Sequence, residues 1–425
     1  MSIVQTLVTT SQRVTRPGAA RPSVCYVNPA VLLRRPISEL LALEEGKRRT
    51  TLLIPRKGAE CEKTLHHTAL FKKTRIVSYR AWSPTRQFEW PIPSPGFIVH
   101  AWRALRDHDV VHVWAHFYLN NLLIMLLKPF FPRTKVILTM DTLPGYSFSA
   151  GRVLNVLFKI YTWTLGRIMF WAPDAITLYG DSLLPHAKRC RINARKIRVI
   201  PTGIVEHDVP LRTKARAKIE KERELDAKTR IVLYVGIINS RKRVDTVLDV
   251  AQAFKTKGRE DTVFLIAGDG PSRNALENRA RAAGLSNVRF LGWRKDVMTL
   301  MAAADAFLFP SSAEGLPGVV MEAAYAGTPV VTTNIPCTTD LVQDGKEGFL
   351  CKVGDTECFA SRLATVLDDH RKARAFSQAG KRKMRTRYSW KRVAPMYEAL
   401  YEELAGTTSK REEQVKRKLT KRTTS

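Results

Sequence analysis

The sequence predicts an α/β chain made of two Rossmann-like domains joined near residue 205. Three observations carry this. Short apolar runs alternate with stretches of helical spacing almost throughout, the pattern of parallel sheets. The alternation halts at Pro201-Thr202-Gly203 and the mixed-charge run 212–228, then restarts. The 425 residues, 44% of them hydrophobic and 8% aromatic, suffice for two packed cores and exclude a disordered or collagenous chain.

In the first half, residues 24–27 form a short apolar run. Residues 37–45 follow with helical spacing, and Gly46 stands where a helix should stop. Residues 51–55 are the next strand candidate. Residues 110–114 and 135–140 read as buried strands separated by an apolar helix over 119–127. Residues 174–178 and 196–200 complete the predicted strands of this half. The charged run 212–228 reads as a solvated helix. In the second half, strands are predicted at 231–235, 262–267, 288–291, 306–309 and 329–332. Helices are predicted at 244–254, 271–283, 297–302, 318–326 and 359–368, with a closing amphipathic helix over 389–404. The expected division is a disordered basic arm over 1–22, a first domain over 23–205 and a second over 206–388. The closing helix then occupies 389–405 and a disordered basic tail 406–425.

Lys and Arg total 70 against 39 Asp and Glu, a net charge of +31. Residues 1–200 carry 30 basic and 11 acidic residues, and residues 201–425 carry 40 and 28. Such a field attracts nucleic acid, an anionic membrane surface or phosphorylated substrates. The six cysteines are scattered without a C-x2-C pair, which argues against a zinc module or a disulfide scaffold and fits a reduced compartment. No uninterrupted apolar stretch reaches eighteen residues, so a spanning helix is not expected. The N-terminal residues resemble a transit peptide in composition; a disordered arm is the preferred reading. Residues 152–172 are apolar but interrupted by Lys159 and Arg167 and contain Tyr161, Trp163 and Trp171. They read as a buried core helix, with an interfacial helix at a membrane as the alternative.

The informative stretch runs from Val263 to Leu350. It contains Ala267-Gly268-Asp269-Gly270-Pro271, then Ala306-Phe307-Leu308-Phe309-Pro310, then Ser312-Ala313-Glu314-Gly315-Leu316-Pro317-Gly318 and Met321-Glu322-Ala323-Ala324-Tyr325-Ala326-Gly327-Thr328-Pro329. Leu316, Pro317 and Gly318 lead from a strand end into a helix, where free N–H groups and the positive helix end suit an anion. Gly315 and Gly318 allow close backbone approach. Glu314 and Glu322 are eight apart, one in the loop and one a turn into the helix. As an isolated pair they would read as two surface carboxylates.

In order and spacing this string resembles the donor-binding domain of retaining glycosyltransferases of family 4, a superfamily that includes glycogen synthase and phosphatidylinositol mannosyltransferase. The resemblance is strong over 231–350 and recognisable in 109–140 and 174–204. It implies the GT-B fold, two Rossmann-like domains with a cleft between them, with a UDP- or GDP-sugar as donor and no cofactor or metal. The resemblance assigns the ribose hydroxyls to Glu322 and the donor sugar to Glu314. It places Trp293 and Arg294 beside the nucleobase, along with the Gly268–Gly270 loop. That loop lacks the third glycine of a dinucleotide fingerprint, since Arg273 stands there. It also implies an arginine and a lysine on the departing diphosphate after the first strand of the second domain. There the chain reads Val235-Gly236-Ile237-Ile238-Asn239-Ser240-Arg241-Lys242-Arg243. Lys242 matches; Ile237 occupies the arginine's place, leaving Arg241 or Arg243 as its substitute.

In the first half, His112-Val113-Trp114-Ala115-His116 resembles the segment that sets a histidine against the donor sugar. His116, beyond the strand end, is the expected site residue, and His112 reads as a core histidine. Asp141 follows another strand end and is assigned to the acceptor side. The glycine-rich loop of many relatives is absent after the first strand, where Arg34-Arg35-Pro36 stands. Asp107-His108-Asp109 precedes a strand and reads as a cap rather than a metal motif. A lipid-linked or glycan acceptor at the inner face of a membrane, approached from the cytoplasm, completes the expectation. The alternatives are a soluble enzyme with a small-molecule acceptor, a basic nucleic-acid-binding protein, or a nicotinamide-dependent enzyme. No nucleic-acid-binding signature appears, so no nucleic-acid partner is expected. The E-x7-E string and the missing glycine count against a nicotinamide enzyme.

Overall fold

The computed structural model describes residues 21–56, 71–82, 91–149, 151–206 and 208–406. Apart from residues 21, 22 and 406, the predicted basic arm and tail lie outside the described residues. The strands are β1 (Val24–Val27), β2 (Thr50–Arg56), β3 (Arg75–Trp82), β4 (Ile92–Pro93), β5 (Val110–Trp114), β6 (Lys135–Met140), β7 (Ala175–Leu178) and β8 (Ile197–Val199). They form one sheet in the order β4-β3-β2-β1-β5-β6-β7-β8, parallel except for the antiparallel edge strand β4. β1 and β5 are buried at every residue, so they read as unbroken apolar runs rather than as alternation.

The second sheet contains β9 (Arg230–Val235), β10 (Thr262–Ala267), β11 (Val288–Gly292), β12 (Ala306–Phe309), β13 (Val330–Thr333) and β14 (Gly348–Cys351). Its order, β11-β10-β9-β12-β13-β14, is the doubly wound Rossmann order. The order in which strands are added reverses next to β1 in the first sheet and next to β9 in the second. Ligands of open α/β sheets bind at such switch points, beyond the carboxyl ends of the strands.

The helices of the first domain are α1 (Arg35–Glu44), α2 (Phe97–Asp107), α3 (Leu119–Leu127), α4 (Arg152–Trp163), α5 (Gly166–Trp171) and α6 (Leu184–Arg189). The second has α7 (Arg212–Arg223), α8 (Val244–Thr256), α9 (Arg273–Ala282), α10 (Val297–Ala303), α11 (Gly318–Ala326), α12 (Thr338–Leu341), α13 (Thr356–Asp368) and α14 (His370–Lys383). The closing helix α15 (Trp390–Ala405) returns to the first domain. Its Tyr401 hydroxyl lies 2.8 Å from His112 Nδ1, while His112 Nε2 meets the Thr139 hydroxyl, so His112 is a satisfied core residue. Asp109 accepts both the amide and the hydroxyl of Ser23 at 2.8 Å, which joins the starts of β1 and β5.

Two expectations are corrected. The apolar stretch 152–172 is only partly core: α4 buries only Thr162 and leaves Val153, Val156, Leu157 and Ile160 more than half exposed, while α5 buries Met169 and Phe170. The apolar face of α4 points outward. The cysteines also do not all stay apart, because Cys351 at the end of β14 is bonded to Cys358 in the first turn of α13.

Candidate active site

The carboxyl ends of both sheets meet across the interdomain cleft. Ser182 donates to Asp340 at 2.5 Å, tying the two domains beside the cleft, while Trp390 at the start of α15 donates to Glu39 at 2.6 Å. Asp141, after β6, lies against Gly315, after β12: a Cβ on Gly315 would come within 2.9 Å of the Asp141 Cβ. The Cys337 thiol points to the Asp141 carbonyl.

On the second domain, Pro317 caps α11 and Gly318 begins it, which puts Glu322 about one turn into the helix. Glu314, in the loop before it, accepts Lys242 Nζ at 2.6 Å and the Ser311 hydroxyl at 2.5 Å. Lys242 also lies 5.0 Å from the centre of the Phe309 ring. Burial pulls the Lys242 ammonium below the ordinary lysine range, and the Glu314 carboxylate opposes that shift. Arg241 is laced to the same loop: its carbonyl accepts the Ser312 amide at 2.9 Å and its guanidinium donates to the Ala313 carbonyl at 3.1 Å. Arg243, by contrast, bends back to Asp245 on its own helix. Of the two candidates, Arg241 is therefore the one joined to the Glu314 loop.

The loops after β9 and β10 pack backbone on backbone. A Cβ on Gly268 would lie 1.9 Å from the Gly236 carbonyl oxygen, and one on Gly270 would lie 2.4 Å from that of Ile238. Glycine is required there for close approach, independently of any ligand. Arg273, standing where a third glycine would be, is spent on Asp269 and Glu277. Trp293 and Arg294 part company. Trp293 is 69% exposed, whereas Arg294 places four hydrogen bonds on Glu222 and Asp296. That network joins the end of β11 to α7.

On the first domain, Asn121 donates to the carbonyls of Trp114 and Ala115 and holds the turn in which Ala115 takes φ 64°. His116 follows, 1% exposed, with Phe117, Tyr161 and Phe170 around its ring and Nδ1 without a hydrogen-bond partner among the described residues. Burial pushes its pKa down to about 4 against the weaker pull of Asp141, so the ring is neutral at pH 7. Tyr161 of α4 donates to the His116 carbonyl, which sets that helix beside the cleft.

The residues missed as site candidates are Arg34, Arg35 and Ser311. Asn28 Oδ1 accepts the Arg34 amide at 3.0 Å and shapes the loop after β1. Arg34 then reaches Asp141 at 3.3 Å, and Arg35 crosses the cleft to Glu322 at 2.6 Å. The double arginine ahead of Pro36 was the available signal; its partners lie too far along the chain for spacing to reveal them.

Residues 215–383 match the family model described as "Glycosyl transferases group 1". The chain is 29% identical over 234 residues to UDP-Gal:alpha-D-GlcNAc-diphosphoundecaprenol alpha-1,3-galactosyltransferase of Escherichia coli, covering 54% of this chain and 60% of that one. It is 27% identical over 186 residues to N-acetyl-alpha-D-glucosaminyl L-malate synthase of Bacillus anthracis, covering 43% and 48% respectively. The chain thus spans between 48% and 60% of the length of these relatives. Sucrose-phosphate synthase of Thermosynechococcus elongatus superposes with a TM-score of 0.73 at 19% identity, over 91% of this chain and 100% of that one. Anabaena HepE in complex with UDP-glucose gives 0.70 at 16%, over 92% and 100%. The match to glycosyl transferases group 1 lies on the second domain, and the fold of the described residues is GT-B.

Proposed function

We propose that the chain transfers a sugar from a UDP- or GDP-sugar to a lipid-linked or glycan acceptor, with retention of configuration and without a metal. The observation that carries this reading is the set of groups around the start of α11. Lys242 and Glu314 stand on one side, Glu322 stands a turn inside, and neutral His116 lies across the cleft. The acceptor oxygen would bond to the anomeric carbon as the bond to the diphosphate oxygen breaks, and the hydroxyl proton would pass to the departing diphosphate. Charge grows on the departing diphosphate, where Lys242 and the helix start act as preorganised positive groups. Glu314, held by Lys242 and Ser311, serves to orient the sugar rather than to attack it. Glu322 takes the ribose, and Asp141 faces the acceptor. Domain closure then excludes water.

The names of relatives support the substrate classes: one acts from UDP-Gal on a diphosphoundecaprenol-linked sugar, and HepE is seen with UDP-glucose. Among the described residues no helix is long and apolar enough to cross a membrane. Attachment would instead use the outward apolar face of α4 and α5, with Trp163 and Trp171 exposed and Arg152, Lys159, Arg167 and Arg191 around them. We infer peripheral binding at the inner face of a membrane, from the cytoplasm. Release of UDP or GDP from a panel of nucleotide sugars, with water as the default acceptor, tests the reading. Turnover of one donor class is expected, and no release from any donor would contradict it.

A further inference from the structure

The cations of the second domain near the proposed donor site are mostly spent. Lys242 is paired with Glu314, Arg241 holds a main-chain carbonyl, and Arg243 is held by Asp245. A nucleoside diphosphate brings at least two negative charges to the same place. The cation that stands over the start of α11 comes from the opposite domain. A Cβ on Gly318 would lie 2.5 Å from Arg35 Nη1, so this guanidinium occupies the approach to the first turn of that helix. Arg35 follows β1, at the switch point of the first sheet.

Its placement is electrostatically odd. The start of a helix is its positive end and disfavours a cation. Arg35 is kept there by two carboxylates, with Nη1 on Glu322 at 2.6 Å and Nε on Glu39 at 2.7 Å. The two contacts differ in kind. Glu39 is itself anchored, because its other oxygen accepts Trp390 Nε1 at 2.6 Å. Glu322 is the group assigned above to the ribose. If ribose hydroxyls take Glu322, the Nη1 end of Arg35 is released while its Nε end stays on Glu39. A small rotation of the side chain then turns the fork toward an anion at the same helix start, a bidentate geometry suited to phosphate. The Arg35 side chain is 40% exposed, which leaves it open to an entering ligand.

We propose that Arg35 is a diphosphate-binding arginine supplied across the cleft by the first domain, resting on Glu322 when the site is empty and oriented by Glu39. This rests on the proposed function. It assigns Arg35 a ligand contact and Glu39 a positioning role.

Binding of UDP and uridine, or of GDP and guanosine, to the full chain tests it by calorimetry. The wild-type protein is titrated first with UDP and GDP to choose the pair. Arg35→Ala should weaken diphosphate binding by about tenfold or more, the scale of a charge-assisted contact, and leave nucleoside binding unchanged or tighter. Arg35→Lys should recover part of the loss. Glu39→Gln should weaken diphosphate binding less than Arg35→Ala and spare the nucleoside. Equal losses for nucleoside and diphosphate would make Arg35 a simple domain tie, and an unchanged diphosphate affinity would remove it from the site; either overturns the proposal. A wild-type chain that binds neither UDP nor GDP would overturn the function reading and this proposal together.

Discussion

Lys242 and Glu314, 72 residues apart, meet at 2.6 Å with both side chains almost fully buried. Such a pair has given up most of its hydration, and removing one member leaves an uncompensated charge. Lys242→Ala should therefore lower donor turnover about 100-fold, the size of a lost preorganised electrostatic contact, mainly in kcat. Glu322→Gln should act mainly on the donor KM, because the ribose is bound equally before and during the reaction. Steady-state kinetics on both variants check this. Full turnover in both would remove these residues from the site.

His116 carries a pH dependence. Its folded pKa of about 4 lies below the ordinary histidine value of 6.5, and burial holds His112 well below that value too. Between about pH 6.5 and 4 the unfolded chain therefore binds protons that the folded chain refuses. Stability from this source is complete above pH 6.5 and lost as pH falls, on the order of 3 kcal/mol for His116 alone. Urea midpoints should drop between pH 7.5 and pH 5, and His116→Gln should flatten the drop. A midpoint that rises toward pH 5 would contradict the account.

The outward face of α4 leads to a flotation experiment. With Val156 and Leu157 both more than half exposed, the chain should float with vesicles containing anionic lipid and release as salt rises. Each basic residue near the surface contributes about 1 kcal/mol. Val156→Glu with Leu157→Glu should abolish flotation while donor hydrolysis persists. Failure of the active wild-type chain to float at low salt would leave a soluble enzyme.

Treatment with EDTA should leave donor turnover intact, because the diphosphate would be neutralised by Lys242 and the helix start. Loss of activity that returns with Mg²⁺ or Mn²⁺ would overturn the metal-free mechanism.

Central strands were legible because burial on both faces leaves an unbroken apolar run, as in Val110–Trp114 and Thr262–Ala267. Arg75–Trp82 was not legible because it lies next to the sheet edge and carries exposed Arg75 and Arg80 within its pattern. The stretch around Trp163 revealed its composition but not its direction, since an apolar stripe does not say what it faces. The link from Arg35 to Glu322 spans 287 residues, and only the docking of two sheets brings them together. Cys351 and Cys358 are close because a strand turns directly into a helix, a geometry their spacing of seven does not disclose.

The central claim is that this cleft binds and cleaves a nucleoside diphosphate sugar. The most direct measurement is release of UDP or GDP from a donor panel by the wild-type chain and by Lys242→Ala. Steady release from one donor class is expected, reduced about 100-fold by the substitution. Release that is absent from every donor, or unchanged by Lys242→Ala, would contradict it.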